Sequence, residues 1–171
     1  VTFYGYGIAS RRDVLSNGFY RNANNNRNVL AIYPDGFLPL IRNIAEDGAL
    51  VLGGKGETAG GWNVALSTNY GPTQLSFGVE DSLNRSFGAA SPTQFHPGAL
   101  EYSQNLLNLD VNKLLEAGDT TMTLAFGAEW KGEKFNQSPG DFHSWANGGE
   151  LLNGGPTASG AQVFPGFKPS D

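Results

Sequence analysis

Cysteine is absent from this 171-residue chain. A disulfide scaffold, a thiolate metal site and a cysteine nucleophile are therefore excluded. Charge is scarce: Asp, Glu, Lys and Arg make up 16% of residues, against about 25% in soluble domains. The balance is acidic, net −5, and Arg11-Arg12 is the single adjacent basic pair. A nucleic-acid partner calls for a basic stripe, which this composition does not supply. Apolar runs are short, as in Ala49–Leu52, whereas a transmembrane helix needs about 20 such residues. No signal peptide is visible, and the chain opens on Val1, so it reads as a fragment or a mature segment. His96 and His143 are the two histidines, and their spacing does not match a metal site. No cofactor is expected.

What the chain does hold is glycine (24 residues), aromatics (3 Trp, 6 Tyr and 11 Phe) and a two-residue rhythm. Trp62, Val64, Leu66, Thr68 and Tyr70 alternate with Asn63, Ala65, Ser67 and Asn69. One side of such a ribbon is apolar and the other small or polar. The rhythm returns at Leu75, Phe77 and Val79, at Leu107, Leu109 and Val111, and at Met122, Leu124, Phe126, Ala128 and Trp130. In the opening segment Tyr4, Tyr6 and Ile8 share one face, opposite Gly5 and Gly7. Helical periodicity is poor; Leu106–Ala117 alone could wind into an amphipathic helix, without a clear N-cap.

About five strands are expected: residues 1–9, 48–56, 62–81, 102–115 and 120–135. Most match the 9–11 residues of a tilted membrane strand better than the five to six of a soluble one. Their connections alternate in length. Residues 57–61 and 117–120 are short glycine turns, while 10–46, 83–101 and the tail from Phe135 are long loops. Short periplasmic turns and long extracellular loops give that order in outer-membrane barrels. The apolar phase is even up to Tyr70 and odd from Leu75, with Gly71-Pro72 between. A bulge or kink within one long strand is expected there, with a tight hairpin as the alternative.

In hydrocarbon every backbone N–H and C=O must be paired internally, which a closed antiparallel barrel achieves. Its lipid side is apolar, with aromatic girdles at the two interfaces. Trp62, Tyr70 and Trp130 lie at segment ends where girdles belong, as do Tyr4, Tyr6 and Tyr102. Asn63, Ser67, Asn69, Gln74, Ser76, Asn108, Asp110, Asn112 and Glu129 would line a wet interior, which favours a large barrel over a side-chain-filled one.

Four stretches carry a family resemblance. Val1-Thr-Phe-Tyr-Gly-Tyr-Gly7 with Ser10-Arg-Arg-Asp13 resembles a strand leading into an extracellular loop of TonB-dependent receptors. Ile32-Tyr-Pro-Asp-Gly-Phe-Leu-Pro39 resembles loop text of the same family. Leu124-Ala-Phe-Gly-Ala-Glu-Trp130 resembles its AFGAEYR strand, and Gly160-Ala-Gln-Val-Phe-Pro-Gly-Phe167 is similar to another of its loops. The likeness spans nearly the whole chain, in order. It implies an all-β, antiparallel, partial transmembrane β-barrel: about five long strands of a 22-stranded whole, with long extracellular loops. Residues 1–171 would all belong to that barrel domain, with the plug domain absent and no closure possible alone. The implied function is TonB-coupled uptake of a scarce nutrient such as a siderophore, cobalamin or oligosaccharide, at the bacterial outer membrane. Its partners would be membrane lipid, the nutrient, and the TonB complex through a missing N-terminal part. A passive porin-like barrel and a soluble carbohydrate-binding β-sandwich are the alternatives. No enzymatic role is expected.

Several motifs invite chemistry that their context does not support. Gly53-Gly-Lys-Gly56 lacks the Ser/Thr and the following helix of a phosphate loop. Asp141, His143 and Ser144 are too close in sequence for a triad and read as a polar surface loop. Asp81, Asp110, Glu129 and Asp141 have nothing to pair them for glycoside cleavage. Under the receptor resemblance, ligand contacts fall in the long loops. Arg11, Arg12, Tyr20, Arg27 and Tyr33 are the leading candidates, with Arg21, Arg42, Phe19, Phe37 and the Asn22–Asn28 stretch beside them.

Overall fold

The computed structural model describes residues 1–152 and 155–171; Asn153 and Gly154, in the glycine-rich tail, lie outside the described residues. The chain is all-β, with 61% strand and 6% helix. The strands are β1 (Thr2–Asn17), β2 (Arg21–Asn22), β3 (Gly36–Phe37), β4 (Leu40–Glu57), β5 (Asn63–Glu80), β6 (Phe95–Ala117), β7 (Thr120–Pro139), β8 (Leu151–Leu152) and β9 (Gly155–Pro156). A 3-10 helix spans Arg85–Ala90, and the short α1 spans Phe142–Trp145. The five long strands form one mostly antiparallel sheet in the order β1-β4-β5-β6-β7. The pairs β2/β3 and β8/β9 form two small hairpin ladders.

All five long strands expected from alternation are present, and Leu106–Ala117 is strand throughout. Four of them extend into text that reads as loop, and β5 keeps its expected bounds to within one residue. β1 continues to Asn17, β4 begins at Leu40, β6 begins at Phe95 and β7 runs to Pro139. Cross-strand ion pairs support the extensions of β1 and β4. Arg11 meets Glu46 at 2.9 Å and Arg42 meets Asp13 at 2.9 Å, so charged residues alternate where apolar ones do not. The connections still run long, short, long, short, long. In the first short turn Thr58 N–H donates to the Trp62 carbonyl and Gly61 N–H to the Thr58 carbonyl.

Residues group into two compact units. The first comprises Val1–Ser10, Asp47–Thr73 and Tyr102–Phe135. It is single-layered sheet, and none of its residues is buried. The second comprises Arg11–Glu46, Gln74–Glu101 and Asn136–Asp171. All fully buried residues lie here, around Val79, Phe95 and Ala161 with Val163 and Phe164 packed against them. Phe77, Phe164 and Phe167 add a ring cluster with centroids 4.7–5.9 Å apart.

Neither a bulge nor a hairpin interrupts β5 at Gly71-Pro72. In the first unit Asn63 bonds Asn112 and Gly71 lies beside Gln104, eight residues along each strand. Gly48 lies beside Pro72 and Arg42 beside Gly78, six residues along each strand. With no residue inserted, the odd-numbered Leu75, Phe77 and Val79 simply project from the other side of β5 than Trp62–Tyr70 do. The change of apolar phase marks a change of packing partner: Phe77 and Val79 serve the ring cluster and core of the second unit.

Candidate functional site

In the first unit, register assigns every side chain to one of two faces. A Cβ at Gly5 would fall 2.8 Å from Leu52 Cδ2, and one at Gly54 would fall 3.1 Å from the Phe3 ring. A shallow apolar groove joins Phe3, Gly54, Val64 and Leu66. Trp62 meets Phe126 edge-on at 5.8 Å, and Lys113 Nζ lies 5.5 Å from the Trp62 ring centroid. Phe3, Leu50, Leu52, Leu66, Leu107, Met122, Leu124, Phe126 and Trp130 thus stand on one face, and each is at least 45% exposed. On β5, β6 and β7 the opposite face is mainly polar. Asn63 Nδ2 donates to Asn112 Oδ1 at 3.2 Å, Asp110 flanks Gly127, and Glu133 accepts from Tyr102 and pairs with Lys131.

This register corrects the expected girdle. Tyr4 covers Gly53, on the side away from Leu52, where a Cβ would come within 2.3 Å of the ring. The end of the Tyr4 ring fills the space that a side chain at 53 would take, so a larger residue there would displace the ring. Tyr6 and Ile8 follow Tyr4 by alternation, and Tyr102 bonds Glu133 on the same polar face. Phe3, missed in the sequence, is the β1 ring on the apolar face. Gly5 and Gly7 conceal that assignment because they carry no side chain to mark the face.

The second unit is a cluster of interlocked loops, and the candidate ligand residues divide within it. Arg11 and Arg12 lie on β1, not in a loop. Arg11 is paired to Glu46 at the surface, a contact worth about 0–1 kcal/mol. Arg42, on β4, holds Asp13 and Glu80. Tyr20 and Tyr33 converge on one turn: Tyr20 Oη donates to the Asp35 carbonyl at 2.7 Å, and Gly36 N–H donates to the Tyr33 carbonyl. Gly36 has φ +98°, and a Cβ there would fall 2.2 Å from the Arg21 carbonyl oxygen. Arg27 is exposed, and its backbone N–H bonds Asn25 Oδ1. The Asn-rich stretch is ordered by Asn28, which donates to the Ala23 and Tyr33 carbonyls and is 7% exposed. Tyr33 therefore anchors its loop; it stacks on Phe37 at 4.7 Å and donates to the Ser82 carbonyl at 3.2 Å.

Burial, and secondarily the charge of Asp81, raises the Tyr33 phenol above the usual tyrosine range. A raised folded-state pKa stabilises the protein fully below the unfolded value near 10 and is lost as pH climbs through the folded one. Tyr33→Phe is expected to cost about 1 kcal/mol near neutrality. It should also remove this residue's share of the alkaline destabilisation above about pH 10. Thermal melts of both proteins from pH 7 to 11 measure it.

A buried polar hub, invisible to sequence reading, joins the loops. Asn84 is fully buried; its Nδ2 donates to the carbonyls of His143 (2.7 Å) and Ala146 (2.9 Å), and its Oδ1 accepts from Ser86 N–H and Oγ. Ser144, also fully buried, donates its Oγ to the Asp141 carbonyl at 2.6 Å, while its N–H donates to Asp141 Oδ1. Asp141 Oδ2 accepts from His96 N–H at 2.6 Å. So Asp141 and His143 are exposed, as a surface loop requires, but Ser144 is an interior strut. Its hydroxyl is committed to a backbone carbonyl, which removes the nucleophile of any triad.

Among the described residues no group of three His, Cys, Asp or Glu side chains converges as a metal site. Among the described residues no helix is long and apolar enough to cross a membrane, which says nothing about strands. Gly53–Gly56 lies within β4, as extended backbone rather than a phosphate loop. Comparison with family models, with curated proteins and with solved structures finds no match to this chain.

Proposed function

We propose that this chain supplies wall and outer loops to an outer-membrane β-barrel, a TonB-dependent receptor of the 22-stranded kind that takes up a scarce nutrient. The observation that carries the reading is the uncovered apolar face of the first unit. Leu66, Leu124 and Phe126 are 51%, 45% and 57% exposed, although their sheet is regular and strand-long. Water does not tolerate so wide an apolar surface on a soluble monomer, and acyl chains do. Leu66 lies midway between Trp62 and Tyr70, the interface rings of its strand. The opposite face carries Asn, Asp, Glu and Lys side chains on β5, β6 and β7, which suits a wet interior, together with Tyr4, Tyr6 and Ile8 on β1. Among the described residues the strands outside this sheet are two-residue pairs. The ordered loop cluster is the ligand-facing part in this reading, and the energy comes from TonB.

The test uses the natural absence of cysteine. Leu66→Cys and Ser67→Cys place single thiols on opposite faces of β5. In intact outer-membrane preparations, a charged maleimide should modify position 67 several-fold faster than position 66, and denaturation should equalise the two. Equal rates before denaturation would reject the membrane assignment.

A further inference from the structure

A trough runs along β4 on the apolar face of the first unit. Gly54 and Gly56 carry no side chain, and both belong to this face by alternation. They form its floor, with Phe3 of β1 on one side and Val64 and Leu66 of β5 on the other. A second hollow, sharing Phe3, Gly54 and Leu66, extends it to Leu52. The walls stand two strand spacings apart, about 10 Å at the backbone, and their side chains narrow the gap further. A helix, about 10–12 Å across with its side chains, does not enter it; a single polymethylene chain does. From Glu57 back to Leu52 the trough follows β4 for about 17 Å, close to the ~15 Å depth of one bilayer leaflet.

The end at the short turn is charged. Glu57 and Thr58 close the trough there. Lys113 Cε and Glu57 Oε1 lie 3.7 Å and 3.9 Å from the place that a Cβ on Gly61 would take. Lys55 stays on the opposite face by alternation, whereas Glu57, the last residue of β4, reaches round the turn. The two charges flank one glycine, yet among the described residues no ion pair joins them. Lys113 Nζ lies instead 5.5 Å from the Trp62 ring centroid. Thr58 fixes the turn: its N–H donates to the Trp62 carbonyl, and its Oγ1 accepts from Trp62 N–H at 3.2 Å. A cation and an anion held apart on a fixed turn complement a head group that carries both charges, phosphate for Lys113 and an N–H-bearing ammonium for Glu57. Choline has no N–H to give, and a phosphoglycerol head has no cation. In hydrocarbon the tail gains packing alone, so the head decides which lipid is held. We infer that the trough and its charged end seat one phosphatidylethanolamine molecule. The inference rests on the membrane reading of this face and adds a specific lipid to it.

The test places the whole barrel that carries this segment in phosphatidylcholine vesicles doped with lipids bearing a photoreactive acyl chain. Their heads are ethanolamine, choline or glycerol, and mass spectrometry maps the labelled residues. The ethanolamine lipid should label residues 54–58 about threefold more than the other two, while labelling of residues 122–130 should not depend on the head. Val64→Trp should fill the trough and lower labelling of 54–58 several-fold. Glu57→Gln and Lys113→Gln should each remove the preference for ethanolamine, and Lys113→Arg should keep it. Glu57 is exposed, so its variant carries the test should Val64→Trp fail to insert. Head-independent labelling at 54–58, preference for the glycerol lipid, a preference that survives Glu57→Gln, or undiminished labelling of Val64→Trp overturns the seat. Thiol labelling at positions 66 and 67 reports the membrane reading separately: unequal thiol rates with head-independent acyl labelling sink the seat alone, and equal thiol rates with no acyl labelling of the apolar face sink both.

Discussion

Replacing Asn84 with leucine is expected to lower stability by about 3 kcal/mol or more and to free the loops it joins while leaving the sheet intact. The side chain is of similar volume, so the loss is one of bonding. Four hydrogen bonds disappear, two to backbone carbonyls and two from Ser86. Ser86 is itself fully buried and Ala146 is 5% exposed, so water does not readily replace the lost partner. Each buried group left unpaired costs about 1–3 kcal/mol. The variant should show protease cleavage within residues 81–94 and 140–171 where the parent resists, with far-ultraviolet strand signal retained. Asn84→Asp keeps the acceptor oxygen and loses the donor, so it should break the links to His143 and Ala146 while sparing Ser86. Parent-like protease resistance in Asn84→Leu would show that the loops are held by other means.

Leu66→Arg is expected to be nearly as damaging, for a different reason. If the apolar face lies against acyl chains, an arginine near the bilayer midplane costs about 2–4 kcal/mol. Ser67→Arg, one residue on and facing the other way, should stay within about 0.5 kcal/mol. Urea unfolding in lipid vesicles of the whole barrel that carries this segment, followed by the gel-mobility difference between its folded and unfolded forms, measures both. In a soluble protein both changes would cost little, because charge at a half-exposed leucine is readily solvated. Equal effects at the two positions would remove the distinction between the faces on which the membrane reading depends.

The fold was legible wherever one side of a strand is apolar. Trp62–Tyr70 and Met122–Trp130 announce their strands because side chains alternate in hydrophobicity. Residues 10–17 and 40–47 do not, since Arg11, Asp13, Arg42 and Glu46 satisfy one another across strands. A cross-strand pair is far apart in sequence, and nothing local records it. The apolar face of β1 was misread for a related reason. With glycine at 5 and 7, only register against β4 shows that Phe3, not Tyr4, belongs with Leu52. Candidate loop residues fared unevenly. Tyr20 and Tyr33 do lie in the loop cluster and meet at one turn, whereas Arg11 and Arg12 sit on a strand. The hub was illegible: Asn84, Ser86 and Ser144 are small polar residues in turn-like text, and such residues usually lie in water. Their burial comes from the packing of segments some sixty residues apart, which no local pattern encodes.

Because β5 passes Gly71-Pro72 without an extra residue, the even side serves one environment below that point and the odd side another above it. Adding or deleting a single residue there would force either half to present the wrong side chains to its surroundings. Variation in the length of this strand is thereby confined to steps of two. A sequence comparison of natural variants would display that rule as paired insertions and deletions between Tyr70 and Leu75.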